Sequence, residues 1–129
     1  MKTMIGRCSD VVDGEIDLLD EWSQSPHLSN AQRTRCLTRR ERIIGGPRTT
    51  MNDIVDDANA VPAGAVHSSP TSVHGAMIGA NERSLRARGA WNLAHLTDKA
   101  FTRGLQRAEA NAKDSVRDAR VVYRDCTDE

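Results

Sequence analysis

The side chains best equipped for chemistry are five arginines in one ten-residue stretch, Arg33, Arg35, Arg39, Arg40 and Arg42, with a single acid, Glu41, among them. A guanidinium is planar and permanently charged, and its paired N–H donors match phosphate or carboxylate. Carried on a helix, such a run can follow a nucleic-acid backbone, releasing counterions, so that affinity falls as salt rises. These five residues are the candidate contacts to RNA or operator DNA. A charge run is more often a solvated face or one half of an ion-paired surface. The chain supplies the other half, since residues 10–22 hold six acids and no base.

Other reactive types are spaced less favourably. Asp53, Asp56 and Asp57 neighbour one another on a helix, but a magnesium shell needs a second element or a phosphate, and first-turn acids are ordinary in helices. His67 and His74 lie seven apart, which is no usual ligand spacing on a helix, and solvated histidines are the expectation there, with His27 and His95 elsewhere. Ser68 and Ser69 beside His67 lack the strand-turn-helix frame and third orienting group of a nucleophilic site. Gly75 and Gly79 make neither a P-loop nor a dinucleotide fingerprint. Cys8, Cys36 and Cys126 are odd in number and far apart, so neither a disulfide framework nor a zinc site is expected. No catalytic residue, cofactor, metal or small-molecule ligand is inferred.

The elements that must carry these residues are helical. In residues 97–126, Phe101, Leu105, Ala108, Ala112, Ser115, Ala119, Val122 and Cys126 recur at alternating steps of four and three, one stripe of an α-helix. Thr97 is the expected N-cap, Asp98 suits the positive first turn, and Leu96 and Phe101 are placed to staple the entry. The stripe is mostly alanine, so the helix buries little area per turn and must lie against something.

Upstream, Val11, Val12, Ile16, Leu18, Leu19 and Trp22 form one face of an amphipathic helix over residues 10–22, with Asp10, Asp13, Asp17 and Asp20 on the other. Ser9 or Asp10 would cap it and Ser25-Pro26 would stop it. Ser29 and Gln32 have the form of a capping box for a helix near residues 30–44, which carries the arginines, and Gly45-Gly46-Pro47 reads as its C-terminal stop. Cys36, Leu37, Ile43 and Ile44 share its apolar face, while Arg33 and Arg40 intrude there and must reach water or an anion. The plain expectation is an α-hairpin whose acidic and basic faces meet. Thr50 and Asp53 look like the capping pair of a third short helix to residue 60, with Met51, Ile54, Val55 and Ala58 inward. Residues 62–80 are rich in Gly, Pro and Ser and read as a flexible loop. Helical spacing resumes at Leu85, Trp91 and Leu93, with a bend before Thr97.

Composition sets the bounds. Leu, Ile, Val and Phe number 24 of 129 residues, near the fraction below which chains stay disordered, yet the 18 basic and 18 acidic side chains cancel. Zero net charge argues against a generalised polyanion binder while leaving room for a local patch. No stretch is long and apolar enough for a membrane, and a cytoplasmic location is the default expectation.

The expected fold is therefore all-α: a small helical bundle, or a helical hairpin plus a long C-terminal helix. It divides into an N-terminal helical part (1–60), a flexible loop (61–80) and a C-terminal long-helix part (81–129). The expected function is a non-enzymatic interaction module that self-associates or docks a protein partner through the C-terminal helix. Phe101, Leu105, Ala108, Ala112, Ala119 and Val122 would be its partner-binding residues. The alternative is a nucleic-acid-binding regulator using the arginine-rich helix.

Overall fold

The computed structural model describes residues 2–60 and 92–127, with side chains from 4 to 60 and from 92 to 124. Within them the chain is all-α, as its periodicity demands: α1 (Lys2–Ser23), α2 (Asn30–Ile43), α3 (Thr49–Ala60) and α4 (Asp98–Thr127), with no strand among the described residues. The expected loop at 61–80 and the helical spacing at Leu85 and Trp91 lie outside the described residues.

Helix α4 finds its counterpart inside the chain. Its stripe of Phe101, Leu105, Ala108, Ala112, Ser115, Ala119 and Val122 is buried throughout, in one apolar cluster with Ile5, Cys8, Val12, Leu19 and Trp22 of α1. With Glu15, those α1 residues also recur at steps of three and four, so two heptad-like seams face each other. The pairing suits their sizes, because alanines on α4 let the larger side chains of α1 approach closely. The entry to α4 is built as its sequence implies. The Ala100 N–H donates to Thr97 Oγ1 at 3.1 Å, and Leu96 packs, partly buried, against the core cluster that contains the fully buried Phe101. A short 3-10 turn, Leu93–His95, precedes this cap; the segment before it, on which the expected bend depends, lies outside the described residues.

Helix α1 starts earlier than expected. It runs from Lys2, so Ser9 and Asp10 lie inside it and cap nothing, and Met4, Ile5 and Cys8 extend its buried seam by two turns. It ends at Ser23, just before Ser25-Pro26. Both halves of the capping box open α2: the Gln32 N–H donates to Ser29 Oγ at 3.1 Å, and the Ser29 N–H to Gln32 Oε1 at 3.0 Å.

Gly45-Gly46-Pro47 is not a stop. Residues Ile44–Arg48 form a π-helical turn that leads directly into α3, and no glycine among the described residues has a positive φ. Closing the turn at i→i+5 takes up one extra residue. Buried positions on this rod show it, since Cys36 to Ile43 is seven residues but Ile43 to Met51 is eight. The wide turn also accommodates Pro47, which has no N–H to give, while Thr49 Oγ1 donates to the Ile44 carbonyl at 2.8 Å. Thr50 accordingly lies within continuous helix and is no N-cap. Met51, Ile54 and Ala58 are buried as expected. Leu37 is not: it is 44% exposed, turned away from the side on which Cys36 and Ile43 are buried.

Three rods result: α1, the continuous α2–π–α3 rod, and α4. Asp20 lies 3.7 Å from Arg40 and Asp13 lies 2.8 Å from Arg48, so α1 is antiparallel to the second rod. Arg35 pairs with Asp98 and Arg39 with Glu109, so the second rod runs parallel to α4. No described helix is long and apolar enough to cross a membrane.

Candidate functional site

The arginines of α2 are largely engaged within the fold. Arg33 Nε donates to the Ser25 carbonyl at 3.0 Å and its Nη1 to Asn30 at 3.2 Å. Arg35 donates to Asp98 at 3.0 Å and to the Thr102 hydroxyl, with its guanidinium 5.1 Å from the centre of the Phe101 ring. Arg39 pairs with Glu109 across a half-buried contact. Arg40 reaches Asp20 and Glu41. Only Arg42 is exposed without a partner among the described residues. The acidic helix α1 thus answers Arg40, while Arg35 and Arg39 are answered by α4, a partner that the hairpin picture leaves out.

Phe101, Leu105, Ala108, Ala112, Ala119 and Val122 are all in the chain's own core. They join α4 to the rest of the fold. The core also holds polar side chains: Glu15 of α1 is buried and accepts a hydrogen bond from Asn111 Nδ2 at 3.0 Å, and Ser115, one turn after Asn111, is buried as well. Glu15 occupies a seam position of α1, whereas Asn111 lies beside the α4 seam, next to Ala112, so the heptad-like spacing alone does not pair them.

Asp53, Asp56 and Asp57 are exposed on α3, and no cluster of metal-ligating side chains occurs among the described residues. His27 and His95 are exposed, while His67, His74, Ser68, Ser69, Gly75, Gly79 and the Cys126 side chain lie outside the described residues. Cys8 and Cys36 are buried and form no disulfide with each other. Burial pushes the Cys36 thiol up to about 11, against the opposing pull of Arg35, which leaves it a poor nucleophile.

The outer side of α4 is different. From Lys99 to Arg124 its exposed residues are Lys99, Arg103, Gln106, Arg107, Ala110, Lys113, Arg117, Arg120 and Arg124, so the charged residues most open to water on that stretch are positive, while the exposed Asp98 stands at its N-terminal end. The acids of this stretch sit lower on the flanks: Glu109 is held by Arg39, and Asp114 and Asp118 are half-buried. Arg103, Arg107 and Arg120 have no ion-pair partner among the described residues. The ridge is about 38 Å long at 1.5 Å per residue. The exposed charges of α3, by contrast, are all acidic: Asp53, Asp56 and Asp57.

Towards its C-terminal half the ridge borders an open cleft of about 260 Å³, lined by Pro47 and Thr50 on one side and by Lys113, Val116, Arg117 and Arg120 of α4 on the other. The extra residue of the π turn sets Met51 inward and leaves Thr50 on the cleft side. Compared with known protein families, with curated proteins and with solved structures, the chain matches none.

Proposed function

We propose that this chain is a binding module rather than an enzyme, and that it lays the outer face of α4 along the phosphate backbone of a nucleic acid. The observation that carries this reading is the basic sign of the charged residues most open to water from Lys99 to Arg124. Neutralising phosphates releases condensed counterions, and that term needs no apolar anchor. Protein interfaces, by contrast, are organised around buried aromatic or aliphatic anchors. This face offers none: the one large apolar side chain exposed among the described residues is Leu37, on α2. The C-terminal helix is thus the contact element, by its charged side, and the backbone-positioning contacts it makes are tolerant of base sequence. A cytoplasmic site of action is part of the proposal.

Titration of a fluorescently labelled DNA duplex tests it. Arg103→Gln with Arg107→Gln should weaken binding severalfold, while Arg42→Gln should leave it close to the parent. Equal binding by parent and double variant overturns the reading.

A second reading, self-association, draws on the acidic outer face of α3, which could meet the basic face of α4 in another copy. Sedimentation at low and high salt checks it: a monomer at every concentration and salt excludes it.

A further inference from the structure

We infer that the cleft between the π turn and α4 is a phosphate seat, in which one internal phosphodiester of the bound strand is gripped by Lys113, Arg117 and Arg120 with the Thr50 hydroxyl. The inference rests on the proposal that α4's outer face binds nucleic acid, and assigns the point at which the backbone is held rather than merely attracted.

Three cations at residues 113, 117 and 120 follow the i, i+4, i+7 spacing of one helix face and line a single concavity with no acid among its lining residues. Their own acidic neighbours compete weakly. Lys113 is 3.8 Å from Glu109, and Arg117 is 3.5 Å from Asp114 and 3.9 Å from Asp118 with its side chain 69% exposed. Long, solvated pairs of this kind contribute little, so the groups can turn to a better acceptor. Arg120 has no partner among the described residues to give up.

Across the cleft, Thr50 is half-buried and its hydroxyl makes no hydrogen bond within the described residues, which leaves a neutral donor opposite the guanidinium groups. Pro47 and Val116 supply apolar wall, which lowers the local dielectric and strengthens charge-assisted bonds to an anion. The size fits a small group: 260 Å³ lies below the about 300–1,000 Å³ of sites that enclose a drug-sized ligand. Because the cleft is open and its three cations stand on the same helix as Lys99, Arg103 and Arg107, a strand lying along that helix can enter and leave it. An open cleft of this kind favours an internal phosphodiester over a chain end.

The test compares four single variants of the full chain, each confirmed folded by circular dichroism, on a duplex with and without 5′-phosphates. Arg120→Gln should weaken binding about tenfold, the loss of a charge-assisted bidentate contact. Arg103→Gln, on the open ridge, should cost only about two- to threefold. Thr50→Val should lower affinity severalfold while leaving the salt dependence unchanged, because it removes a donor and no charge, and Thr50→Ser should restore it. The 5′-phosphate should make no difference, and inorganic phosphate should protect the parent from duplex binding more effectively than it protects Arg120→Gln.

If Arg120→Gln costs no more than Arg103→Gln and Thr50→Val costs nothing, the seat is refuted while the ridge stands. If neither arginine variant changes binding, both fall. A strong preference for 5′-phosphorylated duplex would assign the cleft to chain ends and overturn the internal seat.

Discussion

Deleting Pro47 should leave the protein as stable as the parent or more so, whereas inserting one alanine between Gly45 and Gly46 should cost a large part of its stability. The π turn holds one residue more than an α-helical turn, and this is why Met51 rather than Thr50 lies on the stripe of Cys36 and Ile43. Removing Pro47 returns the spacing from Ile43 to the methionine to seven residues, which a regular α-helix satisfies, and it also removes the residue least tolerated in a helix interior, worth about 3 kcal/mol. An insertion shifts the register the other way, by about 100° for one residue. Met51, which is fully buried, and Ile54 and Ala58, which are nearly so, would then leave the core. At about 1.5–3 kcal/mol for each of the two large side chains the loss is about 3–6 kcal/mol, against a total stability of about 5–15 kcal/mol for a typical domain. Urea unfolding followed by far-UV circular dichroism reads both variants, through the midpoint at unchanged slope. A deletion as damaging as the insertion would refute the idea that the π turn is one stored residue.

Three further outcomes follow from packing and burial. Gly14→Ala should raise stability by about 0.5–1 kcal/mol, because Gly14 is exposed within α1, has helical company on both sides, and a Cβ there meets nothing within 4 Å; thermal unfolding reads it. Asn111→Ala should lower stability by about 1–3 kcal/mol in urea, since it strips a donor from the buried Glu15 carboxyl. Stability should also fall as pH rises from 9 to 11: the Cys36 thiol is raised from 9.0 to about 11, so the unfolded chain releases this proton first, the contribution is complete below pH 9, and it is lost as the folded value is approached. Cys36→Ala should flatten that part of the urea-midpoint-versus-pH curve, and a curve identical to the parent's would discount the thiol.

The features most legible in the sequence were those written in local chemistry. Ser29 with Gln32, and Thr97 with Phe101, fix two helix starts because the capping hydroxyls and the entry residues lie within a few positions of each other. The seam of α4 was equally plain, since steps of four and three leave no competing strand pattern. What escaped was what the seam faces. Ile5 and Cys8 continue the α1 stripe beyond Ser9 and Asp10, whose capping potential suggested a start where none exists. Glu15 is half of a buried polar pair with Asn111, 96 residues away, a distance over which no local pattern operates. Gly45-Gly46-Pro47 carries every local mark of a helix end, yet packing of Met51, Ile54 and Ala58 holds the chain helical through it.

How far the arginines of α2 are paired within the fold is hidden from the sequence for a related reason. Five arginines in α2 draw the eye by density, but density says nothing about which acids answer them, and Asp98 and Glu109 are far along the chain. The bases of α4 are more thinly spread, and their alignment emerges only once the alanine stripe is known to face inward, which turns Lys99, Arg103, Arg107, Lys113, Arg117, Arg120 and Arg124 outward together.

The most direct test of the central claim is the slope of the logarithm of duplex affinity against the logarithm of salt concentration. A ridge that engages about five phosphates gives a slope of about −4.5, and Arg103→Gln with Arg107→Gln should reduce its magnitude by about 1.8. A slope near zero, or one that the double variant leaves untouched, would contradict binding through the outer face of α4.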